Sequence, residues 1–291
     1  MDFLTQQIVW GAFLPAVIAL AGLAGFNWQE WRKRGVSLHW GTPLALMAGY
    51  LFAHWRIVGV PLTFPPTDSN EWLFVTAVIA AIWGVVEHLA AKRPLLSDVG
   101  RLVLVGAIAW LVLRPLMGNL WQGSTGYLWW GGLALGWWFW WSLQVRLGEG
   151  IAGLLVPLVL SMVAGGGGFV LLWSNSSSLS QLSGAVAAVT GVLVPVLLWR
   201  RGIPAGAGSI ASVAGVLGLI WLNAIAFVPV PVGRIVMLAL APLTPVLALT
   251  PALRRKPYWV SVFVCTLITA GVLTAIMVPT YRAYVASGQM Y

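Results

Sequence analysis

The chain has 291 residues, of which 60% are hydrophobic and only 8% charged. Soluble domains carry roughly 25% charged residues, and a soluble fold of this size could not keep so much apolar surface from water, so a soluble globular domain is excluded. The formal net charge of +9 would suit a nucleic-acid partner, but its distribution points away from one. The basic residues cluster in turns roughly 55 residues apart, a spacing that leaves room for two apolar helices of about 20 residues each between turns.

The expected fold is all-α: a polytopic integral membrane protein of about ten transmembrane helices arranged as hairpins, forming a single membrane-embedded domain over residues 1–291. The first span runs approximately over Ile8–Gly25. The N-terminus shows no basic n-region and no small-residue cleavage site, so this stretch is expected to be a retained span and not a signal peptide. Arg32-Lys33-Arg34 follow. The second span, Leu38–Val58, opens on His39 and carries His54 and Arg56 at its far end. A Pro- and Ser-rich loop then holds Asp68, and Glu71 precedes the third span, Trp72–Leu89. Glu87 and His88 close that span just before Lys92 and Arg93.

An unpaired charge near hydrocarbon is costly. Arg56, at the outer end of the second span, and Arg114, at the outer end of the fourth (Leu102–Met117), are therefore expected to pair with Asp68 or Glu71 as an outer clamp, or to hold an anionic group there. Glu87 is expected to snorkel to the interface or pair with Lys92 and Arg93. His39 and His88 fall at a similar depth on adjacent helices, an arrangement that permits a haem or chlorophyll-type pigment. Solvated interfacial histidines are the plainer reading.

Nineteen tryptophans are the most unusual component. Many fit belts at the two membrane surfaces, where an indole buries its ring and keeps its N–H near water. The fifth span, Tyr127–Val145, exceeds any belt. Trp130, Trp137, Trp138 and Trp141 recur at helical spacing and form one aromatic face, while Gly132 and Gly136 form a GxxxG pair on another, where a second helix could approach. The face suits a flat ligand such as a quinone, porphyrin or other pigment, or a lipid. Alternatively, it simply faces lipid or a partner.

The sixth span, Ile151–Trp173, contains Gly165, Gly166, Gly167 and Gly168. They read either as a helix break lining a cavity, as transporters use, or as a close-packing patch. Pro242 and Pro245 pose the same question in the ninth span, Val232–Leu249, because Pro removes a helical hydrogen bond and frees carbonyls. The lone Cys265 lies in the tenth span, Tyr258–Thr280, so no disulfide framework and no Cys-based metal site is expected.

Twelve basic residues lie in the odd-to-even turns, against four (Arg56, Arg114, Arg234 and Arg282) on the other side. Basic turns resist translocation. That bias places both termini outside the cytoplasm, with a bacterial inner membrane as the expected location. No HExxH, GxSxG, Walker loop or paired carboxylates at a workable spacing occur. The expected role is a non-catalytic subunit of a larger membrane complex, with the bilayer and other membrane subunits as partners. The alternative is a secondary transporter or lipid flippase with broken sixth and ninth helices.

Overall fold

A computed structural model describes residues 8–32, 38–61, 63–90, 93–151, 153–200 and 203–288, and the side chains of residues 29–32 lie outside that description. Lys33, Arg34, Lys92 and Arg201, four of the expected basic-turn residues, therefore fall outside the described residues.

The protein is all-helical, with no strand among the described residues. The helices are α1 (Leu14–Arg32, preceded by a π-helical turn Val9–Phe13), α2 (Thr42–Ile57), α3 (Glu71–Leu89), α4 (Pro94–Asn119), α5 (Ser124–Gly150), α6 (Leu155–Leu172), α7 (Ser177–Gly191) and α8 (Leu193–Trp199). They continue with α9 (Ala207–Phe227), α10 (Val232–Leu240, continuing as a 3-10 helix Ala241–Leu249), α11 (Pro251–Arg254) and α12 (Tyr258–Ala286). Eight of these segments are long and apolar enough to cross a membrane, and the protein is a polytopic integral membrane protein. Helices α2 and α5 are the two expected spans outside that set. At 16 residues α2 is short for a bilayer core, and α5 is rich in tryptophan and glycine.

Prolines begin several helices, where their missing N–H is not needed. Pro94 is the first residue of α4, and Pro257 and Pro231 stand immediately before α12 and α10. Asn175 adopts the left-handed conformation (φ 61°) just beyond α6, and its neighbour Ser176 N–H donates to the Leu171 carbonyl to close that helix.

Helix α9 is the hub. It packs against α2, α3, α5 and α7, and 83% of its span is buried. Small residues allow this. Gly84 of α3 and Gly208 of α9 meet backbone to backbone, since a Cβ on Gly84 would lie 2.6 Å from the Gly208 carbonyl oxygen. Van der Waals contact and interhelical hydrogen bonds drive such association in lipid, and small residues permit it. The same chemistry joins α6 to α7, where Ser183 Oγ donates to the Ala164 carbonyl (2.6 Å) and Ser161 Oγ to the Ala187 carbonyl (2.8 Å). Helix α4 is peripheral and rests mainly on α5.

The glycine run does not break α6, which is regular α-helix through Leu172. Gly166 instead receives Leu273 of α12, Gly168 approaches the Ser180 carbonyl of α7, and Gly167 faces Ser183 and Trp221. These are packing glycines. The ninth span does change form: α10 gives way to a 3-10 helix over Ala241–Leu249, with Pro242 and Pro245 both buried in it.

Candidate functional site

The expected outer clamp is not an ion-pair cluster. Among the described residues, neither Arg56 nor Arg114 lies within 4.0 Å of an Asp68 or Glu71 carboxylate. The Arg56 guanidinium sits over the Trp10 ring at 4.2 Å and near the Trp55 ring at 5.6 Å, so the indole faces take the charge that a carboxylate was expected to take. Asp68 caps the turn before α3 by accepting from Asn70 N–H (2.7 Å). Glu71 lies within electrostatic range of His54, and Arg114 is exposed on α4.

The unexpected polar centre is at the other end of α3. Glu87 and Arg101 form an ion pair at 3.1 Å with each side chain only 3% exposed. Trp83 Nε1 donates to the same Glu87 oxygen (2.8 Å). Asp98 bridges Arg101 (2.6 Å) to Arg146 (2.7 Å), the latter 65% exposed. Glu149 stands in electrostatic range of Arg101 and Arg146. Three helices are thereby tied together near their ends. Glu87 therefore pairs with a residue from the next helix, and neither snorkels nor depends on Arg93. Arg101, one of the twelve basic residues assigned by sequence to the odd-to-even turns, lies instead inside α4 and at the centre of this network. The signal was present, because Pro94 at the first helical position puts Arg101 two turns inside α4, facing the i−3 carboxylate of Asp98.

His39 and His88 do come within electrostatic range of each other. Yet His39 Nδ1 accepts a hydrogen bond from Gly41 N–H (3.0 Å) at the start of α2, and its ring stacks on Phe26 at 6.0 Å. Nδ1 of His39 is thus engaged with the backbone at the start of α2. Among the described residues no group of three or more His, Cys, Asp or Glu is placed to hold a metal ion.

The four tryptophans expected on one face of α5 divide between two neighbours. Trp130 Nε1 donates to the Gly106 carbonyl (3.0 Å) and Trp138 Nε1 to the Asp98 carbonyl (2.9 Å), both on α4. Trp137 and Trp141 stack on one another at 6.0 Å and turn toward α9. There Gly215 accommodates the Trp141 ring and Gly218 the Nε1 edge of Trp137. Trp140, which the sequence reading did not place on this face, meets Trp221 of α9 edge to face at 4.7 Å.

A cavity of about 330 Å³ opens beside these rings, between α5, α9 and the α10 span. Ligand pockets of this kind begin near 300 Å³. Gly132 and Gly136 form part of its wall, and a Cβ on either would meet nothing within 4 Å. The expected GxxxG pair thus faces open space and not a packed helix. Its other walls include Trp137, Trp140, Gly218 and Trp221, and no charged residue lines it.

The indole N–H groups of Trp137, Trp140 and Trp221 are buried and find no acceptor among the described residues, and that of Trp141 shares this condition. A buried donor left unmade costs about 1–3 kcal/mol. Trp221 directs its Nε1 toward Gly167 of α6, 3.8 Å from where a Cβ there would stand, whereas Trp137 presents its Nε1 edge to Gly218 on the cavity wall.

Behind the cavity, the 3-10 segment finds side-chain partners for its carbonyls. Gln144 Nε2 of α5 donates to the Pro242 carbonyl (3.1 Å), and Cys265 Sγ of α12 to the Thr244 carbonyl (3.3 Å). Thr244 and Thr269 share a hydroxyl hydrogen bond at 2.7 Å. The chain matches no family model, no curated protein and no solved structure.

Proposed function

We propose that this protein is a non-catalytic integral subunit of a larger membrane assembly, and that it holds a lipophilic molecule in the cleft between α5, α9 and the α10 span. The single observation carrying the reading is that cleft: about 330 Å³, walled by glycines and indole rings, free of charge. Apolar ligand sites have this character, with a concave aromatic lining and few polar groups. The Trp-rich helix thus serves as a wall shared by packing and binding.

Purification of the full chain from its own membranes in mild detergent tests the reading. Partners or a lipophilic molecule should remain bound to wild type. Gly136→Leu, which fills the cleft without touching a packed surface, should lose the molecule and keep the protein in the membrane. A wild-type protein that is monomeric and carries nothing extractable beyond bulk lipid overturns the reading.

The 3-10 segment through Pro242 and Pro245 favours a second reading, a secondary transporter or lipid flippase. Transporters build substrate sites around interrupted helices, and here Gln144 and Cys265 hold the segment's carbonyls. Saturable binding of a solute by the monomer, lost in Gln144→Leu, would favour it over the subunit reading.

For location we propose a bacterial inner membrane with both termini on the non-cytoplasmic side, on the bias of twelve basic residues against four. Cysteines introduced at Gly35 and Gly202 should label from the cytoplasmic side and one at Asp68 from the opposite side. Labelling of Gly35→Cys and Gly202→Cys from opposite sides would sink this topology.

A further inference from the structure

His54 lies in the last turn of α2, wholly buried, and both of its ring nitrogens meet backbone carbonyls. Nδ1 stands 3.1 Å from the Gly59 carbonyl oxygen and Nε2 stands 2.9 Å from that of Asn70. A carbonyl oxygen only accepts. A neutral imidazole has one N–H and serves one of the two, and its other nitrogen then points a lone pair at an oxygen. The imidazolium, with two N–H groups, completes both bonds. The two carbonyls belong to the two ends of one connection. Gly59 turns the chain out of α2 at φ 105°, and Asn70 immediately precedes α3. Asn223 Nδ2 of α9 donates to the neighbouring Ser69 carbonyl (3.3 Å), a tie to the same segment that carries no charge.

We infer that His54 is a protonation-dependent clasp: as the imidazolium it bridges Gly59 and Asn70 and holds the α2–α3 connection, and on losing a proton it releases one of them. Its surroundings carry the charges such a switch needs. Glu71, the first residue of α3, lies within electrostatic range of the ring, and its Oε2 is buried without a hydrogen-bond partner among the described residues. Arg56 on the same helix opposes the charge, but its guanidinium lies over the Trp10 ring at 4.2 Å. Asp68 belongs to the connection and accepts from Asn70 N–H. Tyr50, whose ring centroid is 6.2 Å from that of His54, is uncharged near neutral pH. Among the described residues, the π-helical turn, α7 and α9 bring no titratable side chain, and α1 brings only Glu30 and Arg32 at its opposite end. Burial works against the charged ring, while the two carbonyls and Glu71 work for it. Histidine ordinarily titrates within about pH 5–8, so these opposed influences decide whether the clasp is made. The second bond exists on the acid side of the ring's titration and is lost as pH rises through it.

The test uses the full chain in detergent, labelled with nitrogen-15 histidine, between about pH 5 and 8. Ring-nitrogen shifts separate the imidazolium from the neutral tautomers, and His54→Gln identifies the His54 signal among the chain's three histidines. In parallel, hydrogen exchange of the amides of residues 63–70, divided by the intrinsic rate at each pH, reads how firmly the connection is held.

The expected result is a His54 ring that is doubly protonated at the acid end and loses one proton within the range. Protection of the connection should fall with it by roughly tenfold, the size of one hydrogen bond. Glu71→Gln removes the counter-charge and should move both changes to lower pH together. Asn223→Leu should loosen the connection at every pH and keep the pH-dependent step. In His54→Gln, whose amide donates to one carbonyl at most and never titrates, the step should vanish. If His54→Gln does not fold, the coincidence of nitrogen titration and protection step in wild type and in Glu71→Gln decides alone. A His54 ring that keeps one protonation state across the whole range overturns the clasp, as does wild-type protection without a pH step. A step of undiminished size in His54→Gln also overturns it, because the responsible proton would then sit elsewhere.

Discussion

On the side of α5 that faces α4, Trp130 and Trp138 donate their indole protons to backbone carbonyls of Gly106 and Asp98. On the side that faces α9, Trp137, Trp140 and Trp141 are more deeply buried and have no acceptor among the described residues. The residue type and the helix are the same, and the difference lies in the neighbour. Helix α4 is peripheral and offers carbonyls at Gly106 and Asp98. Helix α9 offers Gly215 and Gly218, which make room for the ring edges of Trp141 and Trp137, while its own carbonyls remain committed to the helix. The first interface is thus closed by hydrogen bonding. The second is closed by shape alone, and beside it a cavity remains. The two sides of one helix are thus held by different means.

That contrast is most strongly challenged on the satisfied side. Arg101 and Glu87 are buried together, and Arg101 also carries Asp98. Removing one partner of a buried pair leaves an uncompensated charge and costs about 3–5 kcal/mol. Arg101→Met should therefore lower the thermal unfolding midpoint in detergent more than any other single change discussed. The double variant Glu87→Gln, Arg101→Met should recover part of the loss, because it neutralises one of the stranded carboxylates. A single variant that unfolds with wild type would mean the network ties nothing, and the two sides of α5 would not differ in the way described. Arg146 contributes much less, because its exposed guanidinium is already screened by water.

The unsatisfied side is tested next, through its glycines. A side chain at Gly218 would enter the space held by the Trp137 indole, a flat ring with few rotamers to escape into. Gly218→Val should cost about 1–3 kcal/mol through overpacking. Gly136→Ala, on the cavity wall where nothing lies within 4 Å, should leave the midpoint unchanged or raise it slightly, since Ala favours helix over Gly by up to about 1 kcal/mol. Equal losses at both positions would mean that the cavity is closed in solution.

How much of this was legible beforehand depends on the kind of signal. Spans were legible because twenty apolar residues are needed to cross a bilayer and nothing else in a chain looks like that. The expected segments lie on the observed helices, with α2 and α5 falling short on length and on apolar character. The missing N–H groups of Pro242 and Pro245 raised the question of a helix change there, and the structure has a 3-10 helix over Ala241–Leu249. The four glycines were not decisive, because the same residues that weaken a helix alone let it pack when neighbours such as Leu273 and Ser183 arrive. Partner choice was least legible. Arg56 could be seen to need compensation, but the sequence could not show that the Trp10 ring would take it and not the Asp68 carboxylate. The split of the Trp face likewise required knowing that α4 and α9 flank α5 on different sides, which helical spacing alone does not contain.

The smallest expected effects discriminate most finely. Phe in place of Trp keeps an aromatic ring and removes the N–H. At Trp130 and Trp138 this breaks a hydrogen bond to α4, and interhelical hydrogen bonds in membrane proteins average about 0.6 kcal/mol. Trp130→Phe and Trp138→Phe should each lower the unfolding midpoint slightly. At Trp137 and Trp140 the same change removes a buried donor that has no partner among the described residues, so the protein should be unchanged or more stable. The signs should therefore oppose across one helix. Measuring the four variants after exhaustive delipidation reads the contrast. If all four lower the midpoint by the same amount in the delipidated protein, the two sides of α5 are equivalent, and the missing acceptor is supplied from within the chain.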